Sequence, residues 1–270
     1  MRQAKAFDWR ETPGLGTMSW ALLIFLYAPL IVLIVYGFNK ADMAMTWGGL
    51  SLRWFIKAIA NDDLKRAAWN SVLIAIIATA FSTLLAVPAA LALERGRRFF
   101  GRGSAEALIA LPLVAPEIVT AISTLVFFSA INLQLGIANV AIAHIVFCIP
   151  FAILPIRARL REMSMDVEDA ARDLYASEWE VFRRVTLPLI LPGVVAGAIL
   201  AFIVSLDDFL ITMMVAGAGS TTLPVYLYGM IRLGVTPEAN AAATLLLAVS
   251  IAVVVIAFVI MGRGSRMGQK

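Results

Sequence analysis

Three acidic residues stand inside long apolar stretches of this sequence. Glu117 follows LPLVAP, and Asp207 and Asp208 are adjacent in SLDDFLITMM. A carboxylate in such a stretch faces a neighbouring helix, the interior of a helix bundle or water, because contact between a charge and lipid is strongly unfavourable. These carboxylates could bind a cation that crosses a membrane, relay protons or form buried structural pairs. The residue types alone leave all three uses open.

The two aspartates are predicted to lie on one apolar helix. Neighbouring side chains on an α-helix point about 100° apart, so both carboxylates cannot face one narrow path equally. We expect one to line a path and the other to pair with a neighbouring helix or subunit. Which of Asp207 and Asp208 faces the path stays open.

Two further side chains could be chemically active. His144 has no second metal ligand at a suitable spacing, so we expect an interhelical hydrogen bond rather than a metal site. Cys148 is the only cysteine, which excludes an intrachain disulfide and a cysteine metal cluster. Nucleotide-binding glycine loops and catalytic triads are absent from the sequence. We therefore expect no catalytic residue, no metal and no cofactor bound by this chain itself.

Six apolar runs must position these residues. Apolar residues make up 61% of the chain and the mean hydropathy is +0.89, which excludes an ordinary soluble domain. Each run reaches the roughly 20 residues that cross a bilayer. The fourth run is interrupted by Asn139, His144 and Pro150. The predicted spans are Thr17–Phe38, Ala68–Leu93, Ala105–Ala130, Ile137–Ile156, Leu189–Ala216 and Ala239–Gly262.

Basic residues predict the orientation, since Lys and Arg accumulate on the cytoplasmic side. They concentrate before residue 17, at 95–102, at 157–184 and after residue 262. We therefore expect a cytoplasmic tail over 1–16, a transmembrane domain over 17–262 and a second cytoplasmic tail over 263–270. The net charge of +4 is explained by this insertion rule and by anionic lipid, without nucleic acid.

The first outer loop contains LSLRWFIKAIANDD, which predicts a short helix lying flat on the outer surface. Leu52, Phe55, Ile56 and Ile59 form its apolar stripe. Trp54 lies beside the stripe and could face the membrane or the mouth of a path. Its spacing alone favours the membrane.

A polar segment between the fourth and fifth runs, MDVEDAARDLYASEWEVFRRVTLPLILPG, predicts a short helix followed by a proline-containing junction. Asp166 is the expected N-cap, with Asp169 in a shortened capping box. Two adjacent small residues on an exposed turn let a partner approach closely, so we interpret the segment as a docking helix. The residues expected on its partner-facing side are Ala170, Ala171, Leu174 and Tyr175.

Part of this segment resembles the loop signature of ABC importer permeases, E-A-A-x3-G-x9-I-x-L-P. Asp169 matches the acid and Val185 the isoleucine, while Tyr175 stands where glycine is usual. In that family the loop forms a coupling helix seated on the ATP-hydrolysing subunit, here within a cytoplasmic loop over 157–188. The resemblance implies that the coupling residues are Asp169, Ala170, Ala171, Leu174, Tyr175, Ala176, Ser177 and Pro188.

The rest of the chain resembles the polyamine (spermidine/putrescine) permeases, and is most like the second of the two permease subunits. NSVLIAIIATAFSTLLAVPAALALER, APEIV, SLDDF and GVTPEANAAATLLL carry the likeness. It implies an all-α membrane protein of the type I importer fold, with a peripheral first helix and a five-helix core. Glu117 stands where an aspartate is usual. The positions implied to line or gate the path are Trp54, Glu117, Ser205, Asp207 and Asp208.

The resemblance also implies partners. A second permease would pair with this chain across a central pathway, two ATP-binding subunits carrying ATP and Mg would lie below, and a solute-binding protein would dock outside. This chain would then be a multi-pass protein of the bacterial inner membrane and not an enzyme.

Two other functions remain open. The solute could be another cationic or zwitterionic molecule, such as an opine or an amino acid derivative. Alternatively, an ion gradient could drive a self-contained transporter in which Glu117, Asp207 and Asp208 relay protons. The coupling-loop match opposes this second alternative, because such a transporter has no use for a coupling loop.

Overall fold

A computed structural model of the chain describes residues 14–42, 46–96, 100–134, 136–234 and 236–267. These residues are almost wholly helical, with one isolated antiparallel bridge between Asn39 and Leu50. The predicted all-α fold is confirmed. The helices are α1 (Leu15–Gly37), α2 (Arg53–Ala60), α3 (Asp62–Glu94), α4 (Arg102–Val114), α5 (Glu117–Ala130), α6 (Ile137–Glu162), α7 (Asp166–Asp173), α8 (Glu178–Val181), a π-helical segment (Phe182–Thr186), α9 (Leu187–Asp207), α10 (Leu210–Val215), α11 (Leu223–Arg232) and α12 (Pro237–Met267).

Within the described ranges, four helices are long and apolar enough to cross a membrane, and the bent pair α4–α5 would make a fifth. They are α1, α3, α6 and the continuous helix Glu178–Asp207. The sixth predicted span falls in α12, where the described apolar part is the shorter stretch Pro237–Ala252. Six spans therefore stay a prediction. The expected N-terminal tail lies largely outside the described residues, whereas residues 263–267 of the expected C-terminal tail continue α12.

The third predicted span, Ala105–Ala130, is wrong as one helix. α4 and α5 meet at an angle of 112°, with Ala115 and Pro116 extended at ψ 138° and 130°. Proline has no backbone N–H to donate, and it disfavours helical geometry in the residue before it. The first helix therefore ends at Val114, and a new helix begins at Glu117.

The fifth predicted span, Leu189–Ala216, is also broken. α9 ends at Asp207, and Asp208 is extended, with φ −60° and ψ 129°. The carboxylate of Asp208 accepts the backbone N–H of Thr212 at 2.9 Å. This side chain satisfies an amide at the start of α10 that would otherwise lack a partner. The two aspartates do not lie on one helix, contrary to the expectation.

The described chain divides into two compact units, of which the larger holds residues 61–229 and those from 246 onward. In it α3, α6 and α9 pack against one another. Small residues allow the close approach, since a Cβ atom at Gly197 would lie 2.4 Å from the carbonyl oxygen of Ala152. Close backbone approach supplies the van der Waals contact that holds helices together in lipid. Fully buried alanines in this core are Ala86, Ala90, Ala152 and Ala201.

The smaller unit holds the described residues of 14–60 and of 230–245. The apolar side chains of α1 are exposed along most of its length. The predicted short helix is confirmed as α2, which buries Trp54 and Ala58, while its position flat on the outer surface stays a prediction. Its exposed apolar side chains are Ile56 and Ile59.

A buried carboxylate fastens the polar loop after α6 to the larger unit. Glu168 of α7 is 2% exposed; it accepts a hydrogen bond from the Thr186 hydroxyl at 2.8 Å and lies 3.2 Å from Nε of Arg95. Arg95 also donates to the carbonyls of Leu160 and Met163 at 2.9 and 3.0 Å. One acid thus connects α7 with the ends of α3 and α6 and with the π-helical segment.

The Gly197 contact predicts a stability effect. Gly197→Ala should lower the free energy of unfolding by about 1–3 kcal/mol, because the added methyl group forces α6 and α9 apart. Thermal unfolding of the purified complex in detergent measures this. The matched control is Gly229→Ala in α11, where an added Cβ meets no atom within 4 Å and the unfolding midpoint should not fall. A Gly197→Ala midpoint equal to the wild type would contradict close packing at this position.

The buried ion pair predicts a second effect. Glu168→Ala should destabilise the attachment of the loop by about 3–5 kcal/mol, because it leaves Arg95 buried without its carboxylate. Trypsin cleavage at the exposed loop 163–177 should become faster. The control, Glu162→Gln, removes an exposed pair with Arg159 that contributes about 0–1 kcal/mol, so its cleavage rate should match the wild type. Equal rates for both variants would show that Glu168 does not hold the loop.

Candidate functional site

The two helix breaks bring the three acids together. α5 packs against α10, and Glu117, the first residue of α5, lies within interaction range of both Asp208 and Asp207. Glu117 and Asp207 are exposed on this chain, whereas Asp208 is 5% exposed. The site therefore contains two accessible carboxylates and one buried carboxylate.

The carboxylate of Asp208 is surrounded by donors from the protein. Its Oδ2 accepts the backbone N–H and the hydroxyl of Thr212, each at 2.9 Å, and lies 3.1 Å from Nε2 of His144. Its Oδ1 lies 3.4 Å from the backbone nitrogen of Ile211. A buried charge is tolerated when such donors replace its water. The positive end of α10 adds to the stabilisation, so Asp208 acts as the cap of that helix.

Asp207 has the opposite environment. It is the last residue of α9, where backbone carbonyls without helical partners make the helix end negative. Its exposed carboxylate increases that negative potential. Unwound helix ends of this kind bind cations in transporters. Asp207, together with Glu117, is chemically suited to hold an ammonium group.

Ser205 is not at the accessible surface of the site. It is 3% exposed, and its hydroxyl lies 2.8 Å from Nδ1 of His144. His144 is 1% exposed and connects α6 to α9 and α10, so its interpretation as an interhelical hydrogen-bonding residue is confirmed. Contact of Ser205 with a solute stays a prediction.

Trp54 belongs to the smaller unit and is 9% exposed. Its indole N–H donates to the carbonyl of Ala41 at 3.2 Å. The guanidinium of Arg53 lies 4.4 Å from its ring centroid and the ammonium of Lys57 lies 5.1 Å away. The expectation of a ring facing the membrane is wrong, because cation–π contacts and a hydrogen bond hold it within its own unit. A role in the path stays a prediction for Trp54.

The docking helix is shorter than expected. α7 ends at Asp173, and Leu174 and Tyr175 form the turn after it, so they do not share a helix face with Ala170 and Ala171. Ala170 is exposed and Ala171 is half-buried. Leu174 and Tyr175 are 82% and 98% exposed. The accessible surface is therefore made by one alanine and an apolar turn.

Tyr175 has a φ of 63°. This left-handed region is unfavourable for residues with a Cβ atom and is occupied freely by glycine. The loop signature of ABC importer permeases has glycine at this position. The turn keeps the conformation that glycine favours although a tyrosine stands there, and the ring projects into solvent.

The predicted cap of α7 is wrong. Asp166 is the first helical residue, and its N–H donates to the hydroxyl of Ser164 at 3.2 Å. Asp169 makes an ion pair with Arg172 at 2.8 Å rather than a capping box. The helix begins one residue earlier than expected, with Met165 at the N-cap position, so Asp169 lies one residue beyond the third helical position that a capping box uses.

The capping box lies instead at the next helix, where Ser177 and Glu180 exchange hydrogen bonds. Just before it, Arg172 reaches Glu178 at 2.9 Å. The hydrogen bond to Glu178, supported by Asp169, raises the pKa of the Arg172 guanidinium above its ordinary value. These contacts define the turn that holds Tyr175 and the half-buried Ala176.

Pro188 lies within the continuous helix that follows. The π-helical segment Phe182–Thr186 comes directly before it, and the backbone N–H of Leu187 donates to the carbonyl of Phe182. A π-turn inserts one extra residue in a helix and suits a point where proline cannot donate. The junction is therefore helical, and it connects the docking turn to Asp207 without interruption.

No group of three His, Cys, Asp or Glu side chains in the described part of the chain is arranged to hold a metal ion. Cys148 is buried and its thiol donates to the carbonyl of Ala201 at 3.5 Å. Glu168 is the site-related residue that sequence reasoning missed, since the signature assigns the acid to its neighbour Asp169.

Comparison with known proteins identifies the family. Residues 82–265 match the family described as "Binding-protein-dependent transport system inner membrane component". The spermidine/putrescine transport system permease protein PotC of Escherichia coli (strain K12) is 37% identical over 240 residues, which cover 89% of this chain and 90% of that one. The putrescine transport system permease protein PotI of the same strain is 38% identical over 248 residues, covering 90% and 88%.

Solved structures agree on the fold. A bacterial ABC transporter involved in the import of the acidic polysaccharide alginate contains a chain with a TM-score of 0.69 and 19% identity, covering 96% of this chain and 99% of that one. At that identity the likeness concerns the fold alone. The chain belongs to the family of binding-protein-dependent transport system inner membrane components and is a homologue of the PotC and PotI permeases.

Proposed function

We propose that this chain is one of two permease subunits of an ATP-driven importer for a polyamine such as putrescine or spermidine. The observation that carries the proposal is the pair of accessible carboxylates, Glu117 and Asp207, at two helix breaks in a homologue of polyamine permeases. A linear polycation loses water in a narrow path, and carboxylates placed along the path offset that loss. Exposed acids also hold the cation weakly enough to release it.

The proposed assembly follows the resemblance. It comprises a second permease, two ATP-binding subunits that hold ATP and Mg, and an extracytoplasmic solute-binding protein, in the bacterial inner membrane. Six spans with a peripheral first helix, a five-helix core and cytoplasmic termini belong to the same proposal. Ion pairs between helix ends support a common side for two of the loops: Glu94 bonds to Arg157 at 2.5 Å and to Arg161 at 2.9 Å.

Coupling in this proposal runs through one helix. ATP binding closes the ATPase pair and moves the docking turn at Leu174 and Tyr175. The continuous helix Glu178–Asp207 carries the movement to Asp207, and the Glu168–Arg95 pair carries it to α3. The path then alternates between outward and inward access, because nucleotide state biases two conformations of the complex. Family membership and the coupling loop both oppose a self-contained, ion-driven transporter.

Charge removal at Asp207 tests the path. Asp207→Asn should lower putrescine uptake by about tenfold or more, because the lost charge no longer offsets desolvation of an ammonium group. Complex assembly should remain normal, since the side chain is exposed. Asp62→Asn, which removes an exposed acid paired with Lys65, is the matched control and should leave uptake unchanged. Uptake is measured with radiolabelled putrescine in proteoliposomes.

Asp208→Asn should differ from Asp207→Asn in one respect. The buried amide cannot replace every acceptor contact of the carboxylate, so the variant should lose both uptake and thermal stability, the latter by about 1–3 kcal/mol. Wild-type uptake by both variants would exclude a carboxylate path. Retention by the cognate binding protein of an opine or an amino acid derivative, and not of a polyamine, would assign the importer to that other solute.

A large side chain on the exposed face of α7, beside the docking turn, tests the coupling role. Ala170→Trp should abolish co-purification of the ATP-binding subunit, because the ring prevents close approach at an exposed position. Ala170→Ser is the size-matched control and should retain the subunit. A complex of normal composition and uptake in the Ala170→Trp variant would refute docking at this surface.

A further inference from the structure

We infer that His144 is a positioning residue of the transport path, which keeps Asp208 as the cap of α10 and thereby leaves Asp207 accessible at the end of α9. The inference rests on the proposed function for its transport consequence. Its structural part concerns the buried side chains around the break between α9 and α10 and stands on their geometry.

His144 contacts both sides of that break. From α6, its Nδ1 lies 2.8 Å from the hydroxyl of Ser205, in the last turn of α9. Its Nε2 lies 2.9 Å from the hydroxyl of Thr212, in α10, and 3.1 Å from Oδ2 of Asp208. One imidazole ring thus joins three helices at the point where the apolar run is interrupted.

The partners of the ring determine where its proton lies. The hydroxyl hydrogen of Thr212 is donated to Asp208 at 2.9 Å, because an ionised carboxylate can only accept. The hydroxyl oxygen of Thr212 must then accept a hydrogen bond from Nε2 of His144, so Nε2 carries the proton. The bond between Nδ1 and the Ser205 hydroxyl holds the other side of the ring, and either of these two groups can supply its hydrogen.

This arrangement favours the broken helix over a continuous one. The run Leu189–Ala216 is long enough to cross a bilayer as one continuous helix, and main-chain bonds across residues 207–210 would then be available. The side-chain bonds of His144, Asp208 and Thr212 compensate for the missing main-chain bonds only when the chain is broken. Loss of the Nε2 contact removes a donor from a buried charge, so the continuous form becomes more favourable and Asp207 becomes less accessible.

Two substitutions separate the ring nitrogens. His144→Gln can place an amide nitrogen near the position of Nε2 and keep a donor for Asp208, whereas His144→Asn reaches only the region of Nδ1. Initial putrescine uptake would be measured over a range of concentrations in the complete complex with its binding protein. We expect His144→Asn to lower the maximal rate by about tenfold or more and His144→Gln to stay within about threefold of wild type, since hydrogen bonds to charged groups are the stronger ones.

A double-substitution cycle tests whether His144 acts through Asp208. His144→Asn combined with Asp208→Asn should be no slower than Asp208→Asn alone. Combined with Asp207→Asn it should be no slower than Asp207→Asn alone, because the proposed effect passes through both acids. Equal losses in His144→Gln and His144→Asn, or multiplication with Asp208→Asn, would overturn the inference. If His144→Asn does not assemble, Thr212→Val removes the shared hydroxyl and should give the same pattern.

A readout independent of the solute completes the test. The native chain has only the buried Cys148, so Asp207→Cys provides a single accessible thiol for a cationic thiosulfonate reagent. His144→Asn should slow its labelling by about fivefold or more, because thiol reactivity follows exposure, and His144→Gln should not. Unchanged labelling in both variants would contradict the inference. Absence of putrescine uptake by the wild-type complex would instead overturn the proposed function, and the labelling rates would still decide the role of His144.

Discussion

The charge of Asp208, buried inside the protein, is the interaction on which the centre of this chain depends. Two amides and the hydroxyl of Thr212 surround it, with His144 beside it. In an apolar environment such a charge is stable only while its donors are in place. Those donors come from two helices, α10 and α6, so the position of α6 and the interruption between α9 and α10 depend on one another. The interruption in turn leaves Asp207 at a negative helix end.

The two breaks have different physical origins and a common result. At Pro116 the ring of the imino acid prevents continuation, and at Asp208 a side chain replaces the main-chain partner. Each break leaves an acid next to a helix terminus. Irregular backbone at membrane depth is tolerated where it lines a cavity or is buried in protein. Asp208 satisfies the second condition, and the proposed path beside the exposed Glu117 and Asp207 would satisfy the first.

Much of this arrangement could be predicted, but the breaks could not. The acids, His144 and the apolar runs are visible in the sequence because charge in an apolar run is rare and each run has the length of a span. The interruption at Asp208 was invisible because the whole run Leu189–Ala216 has the length of a continuous span. It depends on His144 and Thr212, and His144 lies 61 and 68 positions away from Ser205 and Thr212. Pro116 was visible in the sequence, but a proline inside a span predicts a kink and not the 112° bend between α4 and α5.

In the docking segment, too, the sequence predicted some features and not others. The spacing of the signature located it, but Glu168 and not Asp169 is the buried acid, because burial depends on the distant Arg95. The S-x-x-E pattern of Ser177 and Glu180 matches the capping box more fully than Asp166 and Asp169 do, and it is the one that forms. The end of α7 depends on the left-handed Tyr175, which no helix propensity predicts for an aromatic residue.

Tyr175 also limits which components can be exchanged between related importers. Its ring is 98% exposed on a left-handed turn, so a surface that docks closely on the turn needs a recess for a phenol ring. An ATP-binding subunit whose docking surface fits a glycine at this position lacks that recess and could not approach the turn closely. A permease with glycine at this position would fit an ATP-binding subunit with or without the recess. Compatibility in mixed assemblies should therefore be one-sided, with this chain as the more selective member.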